Sequence, residues 1–482
     1  MQTSVRKNYL YNVIYRISSM VLPLIVTPYI ARVLGVADNG LYAFSSTVAC
    51  YFILFGKLGL DNYGNRSIAV CREDIGKRSE TFFGIYAMQV MTAVAALALY
   101  AVSVNLFFAA ERQIYWIQFL YVLSVLFDVS WFFYGMEMFR LTTIRSLVSR
   151  GLLIASVFVF VKGKNDLPVF TLLMALSFLL EQLFLFPFVF RYVKRVRISW
   201  ADIWSHVAPN LKLFVPLLAL SVYNWMDKIM LGFMVNNDSV AYYNYAESMI
   251  NFPKGIVIAL GTVMLPKLSS MAAKNQIAQS REALIKSMKF IGFISCALCF
   301  GIAAIAPTFV PLFLGPRYIP TILLTLELAI VMLPMSITEV SQSLYLIPFK
   351  REGIYIRSVI YGAAVNLVFN LALIPRFGAS GAVIATLAAE LVVCGYQLYR
   401  IRAIYSIRQL TNDFGVFLLC GAVMFLAVFS MNGLHIRPFF LVLLQIAAGG
   451  VVYLACCYAA LKVFKKSDFL YGIIGSIRRK QG

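Results

Sequence analysis

Ionisable side chains lie inside long apolar stretches of this sequence, where a charge needs either a partner or water. The deepest basic residues are Arg16, Arg150 and Lys254, which lie roughly 12, 15 and 22 Å along their helices at 1.5 Å per residue. Guanidinium and ammonium groups at such depth suit the oxygens of a phosphate or a sugar acid. We expect these three to bind an anionic ligand. Four shallower basic residues are second-rank candidates: Lys57, Lys212, Lys228 and Arg357.

Carboxylates occupy the same apolar stretches and indicate that the protein could also carry a cation. A carboxylate that faces an interior cavity can carry a proton or Na⁺, whereas one that faces lipid costs several kcal/mol. The candidate ion carriers are Asp128, Glu247, Glu327 and Glu390. An alternative stays open, in which acids and bases form structural ion pairs. Lys57 and Asp61 are four residues apart and Glu247 and Lys254 seven apart, spacings that share one helix face.

The elements that carry these residues are membrane spans. A hydrocarbon core of ~30 Å needs roughly 20 apolar residues per helix. Runs of about this length occur fourteen times. We predict spans at 8–34, 38–60, 81–105, 113–136, 140–161, 167–190, 208–234, 239–265, 284–314, 319–347, 353–375, 379–399, 412–431 and 438–461.

Positive charge alternates between the connections of these spans. The connections on the side of the N-terminus hold 28 Lys and Arg residues, whereas those on the opposite side hold seven. This asymmetry is the positive-inside bias, so the sequence predicts that both termini are cytoplasmic and that the number of spans is even.

The composition excludes several classes of function. Hydrophobic residues make up 61% of the chain and the mean hydropathy is +0.81, values typical of an integral membrane protein. The net charge of +21 does not indicate nucleic-acid binding, because most of the excess lies in loops beside the membrane.

Enzyme chemistry is not expected either. With two histidines in the whole sequence, no catalytic metal cluster or Ser/His/Asp arrangement is predicted. Cys296 and Cys299 are spaced like a metal or redox pair, but their apolar helix favours packing. The sequence lacks a Gly-x-x-x-x-Gly-Lys-Ser/Thr phosphate loop, so we expect no ATP hydrolysis. Membrane polymerases and ligases need a sizeable outer loop, and every predicted outer connection is short.

The spans divide into two predicted lobes. We predict an N-terminal lobe at 1–195, a cytoplasmic linker at 196–207, a C-terminal lobe at 208–405, and two accessory helices with a basic tail at 406–482. An internal repeat supports this division, since DNGLYAFS at 38–45 aligns with DSVAYYNY at 238–245. In each copy a proline-containing span comes first. Parallel repeats around a shared cavity are a known transporter plan.

Several motifs, in consistent order from about residue 5 to 405, resemble one transporter family. They are TPYIARVLG at 27–35, GLYAF at 40–44, NYGNRSIA at 62–69, DKIMLG at 227–232, YY at 242–243, LPKLS at 265–269 and IPRFGASGAVIAT at 374–386. The chain resembles the polysaccharide transporters, or Wzx-type flippases, of the multidrug/oligosaccharidyl-lipid/polysaccharide (MOP) exporter superfamily. Val240 is the counterpart of Gly40 in the second copy of the repeat. Members of the family often have glycine at that position.

This resemblance implies a MATE-like, all-α membrane fold of two six-helix lobes around a central cavity. It also implies the cargo, an undecaprenyl-diphosphate-linked oligosaccharide moved to the outer leaflet of the bacterial cytoplasmic membrane for capsule, exopolysaccharide or O-antigen assembly. A polysaccharide polymerase and glycosyltransferases are the implied protein partners, and membrane lipids are expected to contact the chain as well. No cofactor is expected beyond a coupling H⁺ or Na⁺. Two alternatives within the superfamily are a lipid II flippase and a cation-coupled multidrug antiporter.

Overall fold

The computed structural model describes residues 24–274, 276–402 and 413–463, and within these ranges the chain is helical and contains no strand. This confirms the predicted all-α class. In hydrocarbon each backbone amide must find its partner within the protein, and a helix achieves this within a single segment.

The chain forms two compact units, Met1–Ala241 and Tyr242–Gly482. The first unit contains nine of the described helices. They are α1 (Leu24–Leu34), α2 (Val36–Lys57), α3 (Leu60–Cys71), α4 (Ile75–Phe107), α5 (Arg112–Leu123), α6 (Ser130–Gly135), α7 (Phe139–Phe160), α8 (Leu167–Val189) and α9 (Trp200–Met234).

The boundary between the units lies within α10 (Asn237–Ala273). The second unit continues with α11 (Ile277–Leu314), α12 (Pro320–Ser341), α13 (Glu352–Ile401), α14 (Phe414–Ser430) and α15 (Pro438–Val463). A π-helical turn at Gln342–Leu346 extends α12.

Each predicted span has a helical counterpart in the described part of the chain. Eleven helices there are long and apolar enough to cross a membrane. One of them, Glu352–Ile401, covers two predicted spans, α10 corresponds to the span at 239–265, and Leu24–Leu34 is the described end of the first. The prediction of fourteen spans is therefore confirmed.

Helix α9 packs against α2, α3 and α4. Residues 208–234 of α9 belong to the predicted C-terminal lobe, and they lie in the compact unit Met1–Ala241. A capping box fixes the start of α9: the Ser199 N–H donates to Asp202 Oδ2 at 2.8 Å, and the Asp202 N–H donates to Ser199 Oγ at 3.2 Å.

Aromatic side chains fill the core of the first unit. Trp131, Phe132 and Phe82 are fully buried and stack or meet edge to face. Gly64 of α3 lies directly against the Trp131 ring, where a Cβ would come within 2.5 Å of it. The close approach of α3 to the core therefore requires glycine at position 64, because any larger residue would overlap the Trp131 ring.

Helix α13 is a hairpin of two spans. Gly378 has φ +56° and ψ −132°, a backbone conformation that favours glycine, and the chain reverses there. Contacts across the hairpin confirm the antiparallel arrangement: the Gln397 amide donates to Ser358 Oγ at 2.9 Å, and Asn366 Nδ2 lies 3.5 Å from Thr386 Oγ1.

The accessory helices α14 and α15 pack against α11. Lys289 of α11 forms a 2.8 Å ion pair with Asp413, the residue that precedes α14. Cys296, Cys420 and Cys457 are buried in this apolar cluster with Phe417 and Tyr453. The predicted packing role of Cys296 and Cys299 is confirmed by their burial.

Candidate functional site: a buried charge network

Lys57, at the end of α2, lies between two carboxylates. Its Nζ is 3.0 Å from Asp61 Oδ1 and 2.7 Å from Asp128 Oδ2. The Asp61 side chain is 59% exposed, whereas that of Asp128 is 9% exposed. The pair predicted from the four-residue spacing therefore exists, but the more buried partner of Lys57 is Asp128, which is distant in sequence.

Asp128 occupies a break between helices. The span predicted as one helix at 113–136 contains α5, a 3₁₀ turn at Ser124–Phe127, and the short α6. Asp128 Oδ1 accepts a hydrogen bond from the Ser130 N–H at 3.0 Å, and the Gln89 amide donates to the Asp128 carbonyl at 2.9 Å. The break thus has its polar groups satisfied inside the unit, as a membrane interior requires.

A second buried ion pair joins α7 to α8. Arg145 Nη2 lies 3.0 Å from Glu181 Oε1, and both side chains are buried, at 5% and 11% exposure. Ser146 Oγ donates a short hydrogen bond to the same carboxylate oxygen. Arg145 Nη1 also donates to Gln182 Oε1 at 3.2 Å.

Ser130 connects the two pairs. Its Oγ accepts a hydrogen bond from Arg145 Nη1 at 3.3 Å, while its N–H is bound to Asp128. The resulting charge network consists of Lys57, Asp61, Asp128, Ser130, Arg145, Glu181 and Gln182. It holds two cations and three carboxylates, a formal excess of one negative charge. Such a network can accept one further proton or cation without an unpaired positive charge.

The other predicted residues of the first unit lie outside this network. Arg150 and Lys228 are half-buried and each has an interaction within the protein. Lys212 is exposed on α9. Arg16 lies outside the described residues, so its surroundings stay a prediction.

In the second unit the predicted residues occupy several helices. Lys254 and Glu247 are half-buried on α10, and Glu247 has an interaction. Glu390 is 3% exposed on α13 and also has an interaction. Glu327 Oε2 is buried without a hydrogen-bond partner among the described residues. Arg357 is exposed, and its Nε donates to the Gly353 carbonyl at 2.9 Å.

Sequence reasoning missed the neutral polar groups of both units. In α13, Asn366 and Asn370 are fully buried, and Asn370 Nδ2 donates to Asn366 Oδ1 at 3.0 Å. Tyr243 OH and Thr386 Oγ1 lie 3.4 Å apart beside them. The signal was present, because a buried asparagine four residues from another marks one polar helix face. The described residues contain no group of three metal-ligating side chains.

The long apolar helices define a multi-pass membrane protein. The model of the family described as "Polysaccharide biosynthesis protein" matches residues 5–272. The chain belongs to this family, and the resemblance seen in its motifs is confirmed.

Relatives agree with this assignment. A "Putative O-antigen transporter" of Escherichia coli (strain K12) is 23% identical over 404 residues, covering 83% of this chain and 97% of the relative. A "Lipid II flippase MurJ" of Bacillus subtilis (strain 168) is 23% identical over 300 residues, or 57% of this chain and 53% of the relative.

Solved structures share the fold. An inward closed conformation of lipid II flippase MurJ matches with a TM-score of 0.75 and 16% identity, covering 95% of this chain and 99% of that chain. An inward-facing multidrug resistance MATE family transporter of the MOP superfamily matches with a TM-score of 0.60 and 14% identity. The match covers 80% of this chain and 95% of that chain. The MATE-like fold class is confirmed.

Proposed function

We propose that this protein is a flippase for undecaprenyl-diphosphate-linked oligosaccharides. It moves them from the cytoplasmic to the outer leaflet by alternating access, and the products are used for capsule, exopolysaccharide or O-antigen-type polymers. The observation that carries the proposal is the match to a putative O-antigen transporter over nearly its whole length.

The proposed location is the bacterial cytoplasmic membrane, with both termini in the cytoplasm. The asymmetry of Lys and Arg between the two sets of connections supports this orientation. We propose further that the predicted lobes at 1–195 and 208–405 rock about a shared cavity, with 406–482 as an accessory region. The protein performs no catalysis in this scheme; a polysaccharide polymerase and glycosyltransferases act after and before it.

The proposed diphosphate ligands are Arg16, Arg150 and Lys254. Each charge-assisted hydrogen bond to a phosphate contributes about 1.5–3 kcal/mol. We therefore expect Arg16→Ala, Arg150→Ala and Lys254→Ala each to reduce flipping roughly tenfold or more. The measurement is surface polymer in a flippase-null strain complemented at matched expression. Lys286→Ala is the control, because Lys286 is 71% exposed and its ion pair among the described residues is with Glu282, one turn earlier on the same helix. Unchanged polymer in all three variants would refute the assignment.

Ion coupling is proposed to use buried carboxylates, among Asp128, Glu247, Glu327 and Glu390. Glu327 offers the cleanest test, because Oε2 has no hydrogen-bond partner among the described residues and glutamine preserves its shape. In proteoliposomes with an imposed pH, Na⁺ or voltage gradient, we expect Glu327→Gln to lose gradient-stimulated flipping. Glu352→Gln, at an exposed position on α13, should respond like the parent protein. A parent protein that ignores every gradient would contradict coupling.

A lipid II flippase is the second candidate function, and the relationship to the Bacillus subtilis protein favours it. A cation-coupled multidrug antiporter is the third, from the shared fold. Complementation distinguishes them: rescue of surface polymer supports the proposal, rescue of a strain lacking its lipid II flippase supports the second, and restored drug efflux supports the third.

A further inference from the structure

A groove between α7 and α8 is lined by residues to which the proposed function assigns no role. Its volume is about 600 Å³. Apolar side chains four residues apart form its walls: Ile144, Val148 and Leu152 on α7, and Leu176, Leu180 and Phe184 on α8. Leu152 and Leu180 are 63% and 57% exposed. The walls of the groove are therefore apolar and open to the surroundings of the chain.

The floor of the groove is polar. Arg145 and Glu181 contribute to its lining, as do Ser149 and Ser177, whose hydroxyl oxygens lie 3.0 Å apart. The Nη atoms of Arg145 have partners, but its buried Nε–H donates to none of the described residues. A buried donor without an acceptor costs about 1–3 kcal/mol. The floor thus lacks one hydrogen-bond acceptor.

Arg140 precedes the lining residues of the groove on α7, of which Ile144 is the first. It is exposed and lies one turn before Ile144 on the same face of α7, at the end that the charge pattern places in the cytoplasm. Arg145 follows roughly 7.5 Å deeper along the helix axis. Within the described residues, Arg140 has no ion pair, and the Nε–H of the deeper Arg145 has no acceptor. The apolar walls lie beside both groups.

We propose that the α7–α8 groove binds one diacyl phospholipid of the surrounding membrane. Its phosphate meets Arg140, an ester carbonyl accepts from Arg145 Nε–H, and one acyl chain lies between Val148 and Leu180. Arg145 is neutralised by Glu181, so the deeper position suits an uncharged carbonyl rather than a second anion. A polyprenyl phosphate has a phosphate and a chain but no ester carbonyl, so it leaves the deeper donor unmet.

Native mass spectrometry of the purified full-length protein tests this site without any transport. The probes are ester-linked phosphatidylglycerol, its ether-linked analogue, and undecaprenyl phosphate. We expect one ester lipid to be retained after other lipids dissociate, and the ether analogue to be retained roughly tenfold less, as expected for one lost hydrogen bond. Leu180→Trp, which narrows the groove, and Arg140→Gln should each reduce retention of the ester lipid at least about fivefold.

Leu426→Trp is the matched control, because Leu426 is 66% exposed on the apolar surface of α14. It should retain lipid like the parent protein. Val148→Trp narrows the groove from the opposite wall and replaces Leu180→Trp if that variant does not fold. Equal retention by groove and control variants, or equal retention of ester and ether lipids, would overturn the proposal. So would a groove that holds only undecaprenyl phosphate. Because flipping is not measured, failure here leaves the proposed transport function standing.

Discussion

Replacing Asp128 with alanine is expected to lower the free energy of unfolding by about 3 kcal/mol. The substitution leaves the Lys57 ammonium, 19% exposed, without its buried partner at 2.7 Å. Removing one member of a buried ion pair costs about 3–5 kcal/mol, because the remaining charge has lost its compensation. The exposed partner Asp61 keeps part of the interaction, which places the expected value at the lower end.

Equilibrium unfolding in mixed detergent micelles measures this effect. Asp61→Ala serves as the comparison, since an exposed ion pair contributes about 0–1 kcal/mol. The double variant Lys57→Met/Asp128→Leu removes both charges, and we expect it to recover most of the stability lost in Asp128→Ala. If the double variant were as unstable as the single one, the loss would come from the helix break at Asp128 rather than from the unpaired lysine.

Gly40→Ala is the second substitution with a large expected effect. A Cβ on Gly40 would overlap the backbone carbonyl of Asn237, at the start of α10. A backbone group cannot rotate away as a flexible side chain does, so the helices must separate. Overpacking of this kind costs about 1–3 kcal/mol, and we expect the upper half of that range together with loss of surface polymer in the complementation assay.

The chain contains a matched control for this glycine. Gly151 lies within α7, is exposed, and a Cβ there would meet no atom within 4 Å. Gly151→Ala should therefore stabilise the protein by about 0.5–1 kcal/mol, since alanine favours the helix. Thermal unfolding of both variants gives the comparison. A Gly40→Ala variant that unfolds at the parent temperature would show that α2 and the start of α10 are not locked together.

The spans were predictable because membrane insertion depends on local sequence. Length and hydropathy indicate each helix, and the structure adds detail at the ends. Helix α2 stops at Lys57 rather than at residue 60, because Leu58 adopts φ +50° before α3 begins. The span predicted at 113–136 changes to a 3₁₀ turn at Ser124–Phe127, which is followed by Asp128, the residue that pairs with Lys57 of another helix. Such interruptions depend on contacts between helices, and the hydropathy of a sequence does not predict those contacts.

The candidate site was predictable only in part for the same reason. A four-residue spacing gave the Lys57–Asp61 pair, because helix geometry alone brings such residues together. The pairing of Arg145 with Glu181 spans two helices, and no spacing rule reaches across them. The sequence does not indicate the roles of Ser130 and Gln182, because a neutral side chain gains such a role only from the charges that tertiary folding places beside it.

The hairpin in α13 has a consequence for biosynthesis. Asn366, Asn370 and Gln397 are fully buried, and the contacts between Asn366 and Thr386 and between Gln397 and Ser358 cross the turn at Gly378. Released alone into lipid, either half would expose amides to a solvent that offers them no hydrogen bonds. We therefore expect the two halves of α13 to enter the bilayer together during synthesis. The hydrogen bonds between them should form before they leave the insertion machinery.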